Sequence, residues 1–317
     1  MTQRNKAFFI NGGAGRTICA IPALEKYAEE VTKDFLIVCE GGTDMFKGHP
    51  LLYSKVYDHW HKNLFEEKLI HMDLVSPEPY RAWEYFNQKC SIAQAFDIII
   101  NNKGIRDLPR PTLRLSNEEM LVGHQITSEV REKTKKEKVV VFQPFGRGVI
   151  SQNNVIMDPG GRSFEGSNTI SIVKKLQKKG FAVVLMSEIG IDFQKHGCKD
   201  PVAMPQNVDL RKWGGIIANA DYFLGCDSVG QHLAYAVDKP GSVVFGSTFP
   251  TNVSYPDNEK FDLLDMGDTI RQYSPIRITM DDVADRGNDG IMRMNELQED
   301  AIVESVINGV KKWADTE

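Results

Sequence analysis

The sequence predicts an α/β protein made of two halves, each a parallel sheet covered by helices. Three observations carry this. Short apolar runs bounded by glycine-rich turns alternate with segments of helical period, the pattern of repeated βαβ units. The 317 residues exceed what one hydrophobic core usually organises, which favours two domains. A proline-rich segment followed by a helical stretch dense in Lys, Arg and Glu, residues 107–138, separates the runs into two sets. The expected divisions are therefore 1–135, 136–295 and a terminal helical segment, 296–317.

Composition narrows the classes. A hydrophobic share of 41% and a charged share of 26% fit a globular chain. A net charge of −5 argues against a general nucleic-acid coat, although a local basic groove stays open. Five widely spaced cysteines with no CxxC pair suggest neither a disulfide framework nor a zinc site. No apolar run reaches membrane-spanning length, so a cytoplasmic protein without stable membrane insertion is expected.

Residues 6–10 (KAFFI) read as a buried strand and lead into Asn11-Gly12-Gly13-Ala14-Gly15-Arg16-Thr17. A helix follows, with apolar positions Ile18, Ile21, Leu24, Tyr27 and Ala28. Glycines at a strand mouth let the backbone approach a ligand, but this spacing is not the full dinucleotide fingerprint. Residues 34–39 (DFLIVC) form the second strand, with Asp44 in the glycine turn beyond it, where it suits either a local cap or a site.

His49, His59, His61 and His71 lie in a polar, aromatic stretch without the partners a metal site needs. Residues 80–95 read as a helix and residues 96–100 (FDIII) as a buried strand.

The second half opens with strand residues 139–142 and the turn Gln143-Pro144-Phe145-Gly146-Arg147-Gly148. A helix over 169–179 ends at Gly180, and the strand over 181–186 places Ser187 and Glu188 at its carboxyl end. A helix over 209–218, with Asp209 as its natural cap, leads to an apolar run at Tyr222, Phe223 and Leu224.

Next come Gly225-Cys226-Asp227-Ser228-Val229-Gly230, a helical pattern of Leu233, Ala234, Ala236 and Val237, and a strand at Val243 to Phe245 ending Gly246-Ser247-Thr248. In an open parallel sheet these strand ends line one crevice. A helix N-terminus there suits an anion such as a pyrophosphate, and an acid beside it suits sugar hydroxyls. Asp227 and Ser228 would equally serve as a plain helix cap. Residues 251–295 have weak periodicity and suggest no chemistry, and residues 296–313 are amphipathic and helical.

The segment ADYFLGCDSVGQHLAYAVDKPGSVVFGSTFP, residues 220–250, resembles the donor-binding motif of the heptosyltransferase-like glycosyltransferases, glycosyltransferase family nine. That pattern is a strand, Asp-[Ser/Thr]-Gly-x-x-His, a short helix, a Pro, and a strand ending Phe-Gly-x-Thr-x-Pro. Here Val229 stands at the family's Gly, with Gly230 one place later. The resemblance implies a GT-B fold, two Rossmann-like domains facing a central cleft. It also implies inverting, metal-independent transfer from a nucleotide-diphosphate sugar to an acceptor hydroxyl, with no cofactor. The acceptor would be a lipopolysaccharide-type glycan or, less usually for the family, a hydroxymethylated DNA base.

On that resemblance Asp227 would orient the donor sugar, and Ser228, Val229 and Gly230 would form the phosphate loop with His232 in support. Arg162, in the basic–spacer–aromatic element Arg162-Ser163-Phe164, would neutralise the departing pyrophosphate, with Arg147 as a second candidate and Glu188 toward the ribose. The segment NGGAGRTICAIPALEKYAE is similar to the family's first strand-turn-helix and would make Gly12, Gly13 and Gly15 an acceptor-side loop. Alignment on Pro22-Ala23-Leu24 puts Arg16 at the family's Asp, the expected general base. Arginine stays protonated, so Arg16 would bind phosphate or cover the helix start, and Asp44 is the first replacement base. The competing reading is a catalytically silent nucleotide-sugar-binding protein. In two-domain transferases of this type a terminal helix often crosses back to the first domain, which residues 296–317 would then do.

Overall fold

The computed structural model describes residues 4–152, 155–271 and 290–314. Its contacts divide the chain into two compact units, Met1–Ser116 and Asn117–Glu317.

The first unit contains β1 (Lys6–Ile10), α1 (Ala14–Glu30), β2 (Phe35–Cys39), β3 (Val56–Asp58), β4 (Asp73–Val75), α2 (Trp83–Phe86) and α3 (Ile92–Asn101). Its sheet is parallel in the order β3-β2-β1-β4. Phe8, Tyr27 and Phe35 meet edge to face at 4.9, 5.8 and 5.1 Å, which pins α1 onto the first two strands. The expected helix and strand over 80–95 and 96–100 need correction. Gln88 turns the chain at φ 57 after α2, and the FDIII run lies inside α3. Ser91 and Gln94 form a reciprocal capping box that starts this helix, and Asn102 ends it in the left-handed region. A five-residue apolar run fits a buried helix face as well as a strand, and here the cap decides. Arg106 then ties α3 to α1, donating to Asp97 at 2.6 and 2.8 Å and to Glu30 at 2.8 and 2.9 Å.

The second unit runs α4 (Asn117–Thr134), β5 (Lys138–Gln143), β6 (Ile150–Gln152), β7 (Val155–Met157), α5 (Gly166–Lys178), β8 (Phe181–Leu185), α6 (Leu210–Asn219), β9 (Tyr222–Cys226), α7 (Val229–Ala236), β10 (Gly241–Phe245), α8 (Pro250–Val253), β11 (Phe261–Asp265) and α9 (Glu296–Trp313). Its parallel sheet has the order β11-β10-β9-β5-β8, and β6 and β7 pair antiparallel beside it. α8 and β11 fall in the stretch whose sequence carried little periodicity, and the part of that stretch spanning 272–289 lies outside the described residues.

The division falls at Ser116, earlier than the expected boundary near 135, because α4 packs on α6. The two helices touch backbone to backbone: a Cβ on Gly123 would lie 2.1 Å from the Gly215 carbonyl oxygen. Arg211 completes the joint, donating to both Glu119 oxygens at 2.5 and 2.8 Å. The terminal helix α9 falls within the second unit. It buries Ile302, Val303, Val306 and Val310 in that unit's core.

All five cysteines are free and buried. Burial pushes the thiols of Cys39 and Cys90 up to about 12 and that of Cys226 higher still. Among the described residues no helix is long and apolar enough to cross a membrane.

Candidate functional site

In the second sheet the chain places β8 on one side of β5 and then crosses to build β9, β10 and β11 on the other. β5 and β9 therefore flank the point where strand order reverses, the position at which open α/β sheets bind ligands beyond their carboxyl ends. Gln143, the last residue of β5, is in register with Gly225 of β9. Both strand ends thus deliver polar side chains to one place.

Asp227 follows β9 directly and is 3% exposed. Its Oδ1 accepts from Gln231 at 2.9 Å, and its Oδ2 accepts from Thr248 at 2.9 Å. Arg162 Nε lies 3.1 Å from Oδ2, and an Arg162 terminal nitrogen donates to the Asp227 carbonyl at 2.8 Å. A buried carboxylate needs this many donors, and its effect is to fix one face of the guanidinium. The Arg162 side chain remains 46% exposed, so charge reaches solvent from a rigid mount.

The loop carrying Arg162 is itself fastened. Asp158 accepts from the Gly160 N–H at 2.8 Å and from the Ser163 N–H and hydroxyl at 3.1 and 2.6 Å. Ser163 accepts from the Gly146 N–H at 2.9 Å, and Ser247 donates to the carbonyls of Gly160 and Gly161 at 2.6 and 2.9 Å.

The plain-cap reading of Asp227 and Ser228 is not what is seen. Ser228 occupies the position before α7 in an extended conformation, and its side chain makes no cap hydrogen bond. The Gly230 N–H is taken instead by Gln143 Oε1 at 2.8 Å, while Gln143 Nε2 donates to Ser228 Oγ at 3.3 Å. A Cβ on Gly230 would come within 2.3 Å of that amide oxygen, so the glycine is required one place later than in the family pattern. Val229 opens α7 half-buried.

His232 is 8% exposed, and its Nδ1 is 2.9 Å from the Tyr255 hydroxyl. Burial lowers its pKa to about 4; Asp227 opposes the shift and Arg162 adds to it. The imidazole is therefore neutral near pH 7. Glu188 and Arg147 are both exposed at the strand-end loops.

In the first unit the corresponding reversal lies between β1 and β4. Asn11 follows β1, Glu78 follows β4, and Arg16 on α1 reaches Glu78 at 3.2 Å. Asn11 also donates to Glu78, at 3.3 Å. The Arg16 guanidinium lies 4.9 Å from the Tyr80 ring centre and 5.7 Å from that of Phe96. The Gly12 N–H, at φ 89, donates to Glu40 at 2.5 Å. Gly13 is exposed and Gly15 half-buried in the first turn of α1. Asp44 is half-buried in a tight turn over Thr43–Phe46.

Gln143, Glu40, Glu78, Asp158 and Tyr255 are the polar residues that sequence reasoning passed over. The signal for the first two was available, since each sits at the carboxyl end of a recognised strand. His59 binds the Cys39 carbonyl at 3.3 Å, and among the described residues no group of three or more His, Cys, Asp or Glu side chains is placed to hold a metal ion.

No protein-family model matches the chain. Lipopolysaccharide heptosyltransferase 3 of Escherichia coli is 29% identical to it over 111 residues, which cover 31% of this chain and 33% of that protein. The match thus spans about a third of the curated relative's length. Among solved structures, a glycosyl transferase of family 9 from Veillonella parvula superposes with a TM-score of 0.68 at 11% identity, covering 98% of this chain and 99% of the other.

The fold is GT-B.

Two further structures share it. The iron-containing dodecameric glycosyltransferase TibC from enterotoxigenic E. coli has a TM-score of 0.58 at 14% identity, covering 100% of this chain and 81% of its own. The E. coli heptosyltransferase WaaC with ADP has a TM-score of 0.54 at 11% identity, covering 96% and 99%.

Proposed function

We propose that this chain transfers a sugar, with inversion and without a metal ion or other cofactor, from a nucleoside-diphosphate donor to an acceptor hydroxyl. The donor's diphosphate would lie at the β5/β9 strand ends. The carrying observation is the mounting of Arg162 on buried Asp227 at that reversal point, which holds a cation ready for a leaving group that gains negative charge. The likeness to heptosyltransferase 3 and the solved WaaC complex with ADP support an adenine nucleotide in the donor. A structure of TibC with ADP-D-β-D-heptose, whose fold scores 0.56 against this chain at 13% identity over 98% of it and 76% of TibC, supports a heptose.

In the reaction, the acceptor oxygen bonds to the anomeric carbon as the bond to the phosphate oxygen breaks. The electron pair leaves with the diphosphate beside Arg162. The acceptor's proton passes to a general base, for which Asp44 remains our candidate. On this reading Asp227 contributes by holding Arg162 and Thr248, because its oxygens already accept from Gln231 and Thr248 and pair with the Arg162 guanidinium. Ser228, Gly230 and neutral His232 line the same strand end, while Arg147 and Glu188 belong to its outer rim.

The acceptor we favour is a glycan hydroxyl. Glu40, Asp44 and Glu78 near the first unit's strand ends are a poor surface for the phosphates of DNA, which speaks against a modified base. Five free, buried cysteines support a reducing compartment, the cytoplasm.

The test is incubation with ADP-heptose and a panel of sugar nucleotides and glycan acceptors, with release of the nucleoside diphosphate followed over time. Turnover that Arg162→Ala abolishes is the expected result. A second reading, a silent nucleotide-sugar-binding protein, draws on the Arg16–Glu78 pair standing where the family has its base. Tight donor binding with no release across the panel would favour it.

A further inference from the structure

We infer that Gln143 is a positioning residue that sets the direction of the Ser228 hydroxyl, and that this hydroxyl, in place of the Gly230 N–H, is what a bound diphosphate meets at the start of α7. The inference rests on the reading of the β5/β9 strand ends as a diphosphate site and goes beyond it by assigning the donor groups.

The argument begins with what Gln143 occupies. It is 5% exposed, and both ends of its amide are used. Its oxygen takes the Gly230 N–H at 2.8 Å, one of the helix-start donors that an anion would otherwise claim. Its nitrogen donates to Ser228 Oγ at 3.3 Å. An amide cannot rotate to exchange these roles without setting donor against donor at Gly230, so the side chain has one orientation.

Ser228 Oγ therefore has an acceptor position filled by the protein, and its own proton must point elsewhere. A hydroxyl carries one proton and two lone pairs, so the filled lone pair steers the proton to another side. Ser228 does not spend it on capping α7. It is half-buried rather than enclosed, and Gly146, whose absent Cβ would approach Ser228 Oγ to 3.4 Å, leaves room on that flank. The result is an O–H donor beside the Arg162 mount, in a place where phosphate oxygens would otherwise rely on backbone N–H groups.

ADP binding to the full chain by calorimetry, together with thermal denaturation, tests this. Gln143→Glu keeps an oxygen for the Gly230 N–H but replaces the N–H that faces Ser228 with a second acceptor, which draws the Ser228 proton to itself. ADP affinity should fall about tenfold or more in a protein that still melts cooperatively, at a temperature lowered by the buried charge, and Ser228→Ala should lose a similar factor. In the Ser228→Ala background, Gln143→Glu should cost less than about threefold more, because its route through Ser228 is gone.

Equal losses in both backgrounds would mean that the new carboxylate acts by repulsion alone and would overturn the inference. Gln143→Asn, too short for both contacts and uncharged, provides the second variant. It should lower affinity in the wild-type background and, because it also frees the Gly230 N–H for the anion, hold or raise it in the Ser228→Ala background; a further loss there counts against the relay. If the unaltered protein binds no ADP or other nucleoside diphosphate, the proposed function fails. If it binds and the Gln143 variants do not separate in this way, the inference alone fails.

Discussion

Replacing Asp227 with asparagine probes the mount of Arg162 while changing almost no volume. Both carboxylate oxygens accept: Oδ1 from Gln231 at 2.9 Å and Oδ2 from Thr248 at 2.9 Å, and Arg162 Nε is ion-paired with Oδ2 at 3.1 Å. An amide has one oxygen and no charge: kept toward Thr248 and Arg162, it turns its N–H₂ toward Gln231, whose amide must turn over, and turned the other way its N–H₂ meets Thr248 and Arg162, in a place only 3% exposed. The Arg162 charge stays partly hydrated, which keeps the cost below that of a fully buried broken pair. The mismatched amide contributes about 2 kcal/mol, which for a unit of this size lowers the melting temperature by about 4–8 °C. A released Arg162 should also weaken ADP binding by about fivefold to thirtyfold. Thermal denaturation by circular dichroism and calorimetric titration with ADP read the two effects separately. A variant that melts within about 1 °C of the unaltered protein and binds ADP equally well refutes the proposed mount.

Gly230→Ala puts a methyl 2.3 Å from Gln143 Oε1 and 2.8 Å from Phe223 Cζ; overpacking of this kind should cost about 1–3 kcal/mol in denaturant titration. His232 imposes a pH dependence whose direction follows from its lowered pKa. The unfolded chain binds the proton near 6.5 and the native one only near about 4, so stability falls as pH drops through that window, by about 3 kcal/mol, and is unaffected by this group above it. His232→Gln should flatten the stability profile between those values in urea titrations. In the first unit, Arg106→Ala takes both guanidinium contacts from Asp97, 1% exposed, leaving it the Asn101 amide, and should cost about 3 kcal/mol, seen as early loss of amide protection in α1 and α3. Ser91→Ala removes half of the box that starts α3 and should cost about 1 kcal/mol.

The strands were legible where an apolar run ended in a glycine turn, as at Lys6–Ile10 and Tyr222–Cys226, because burial on both faces leaves a parallel strand little choice of residue. The same rule misled at Phe96–Ile100, where an identical apolar texture belongs to a helix and the deciding signal, Ser91 with Gln94, lies outside the run. β11 (FDLLD) escaped notice for the opposite reason: as an edge strand it keeps polar residues among its apolar ones.

At the site, the residue order around Asp227 led to the end of β9, but not to the contacts Asp227 makes there. A sequence shows that an acid is present, not that Gln231, Thr248 and Arg162 already surround it. What Gln143 and Glu78 hold was hidden, because their partners, Gly230 and Arg16, are 87 and 62 residues away. Pairing at that separation is created by the strand order and has no local trace.

The sequestered thiols have a practical use. Thiolate, not thiol, reacts with maleimides, and side chains held at 0 to 7% exposure with raised pKa values at Cys39, Cys90, Cys198 and Cys226 present almost none of it to reagent. A single cysteine introduced on the surface of either unit should therefore accept an environment-sensitive fluorophore or spin label selectively with every native cysteine left in place, so that local changes on adding a nucleotide could be followed in the otherwise unaltered protein.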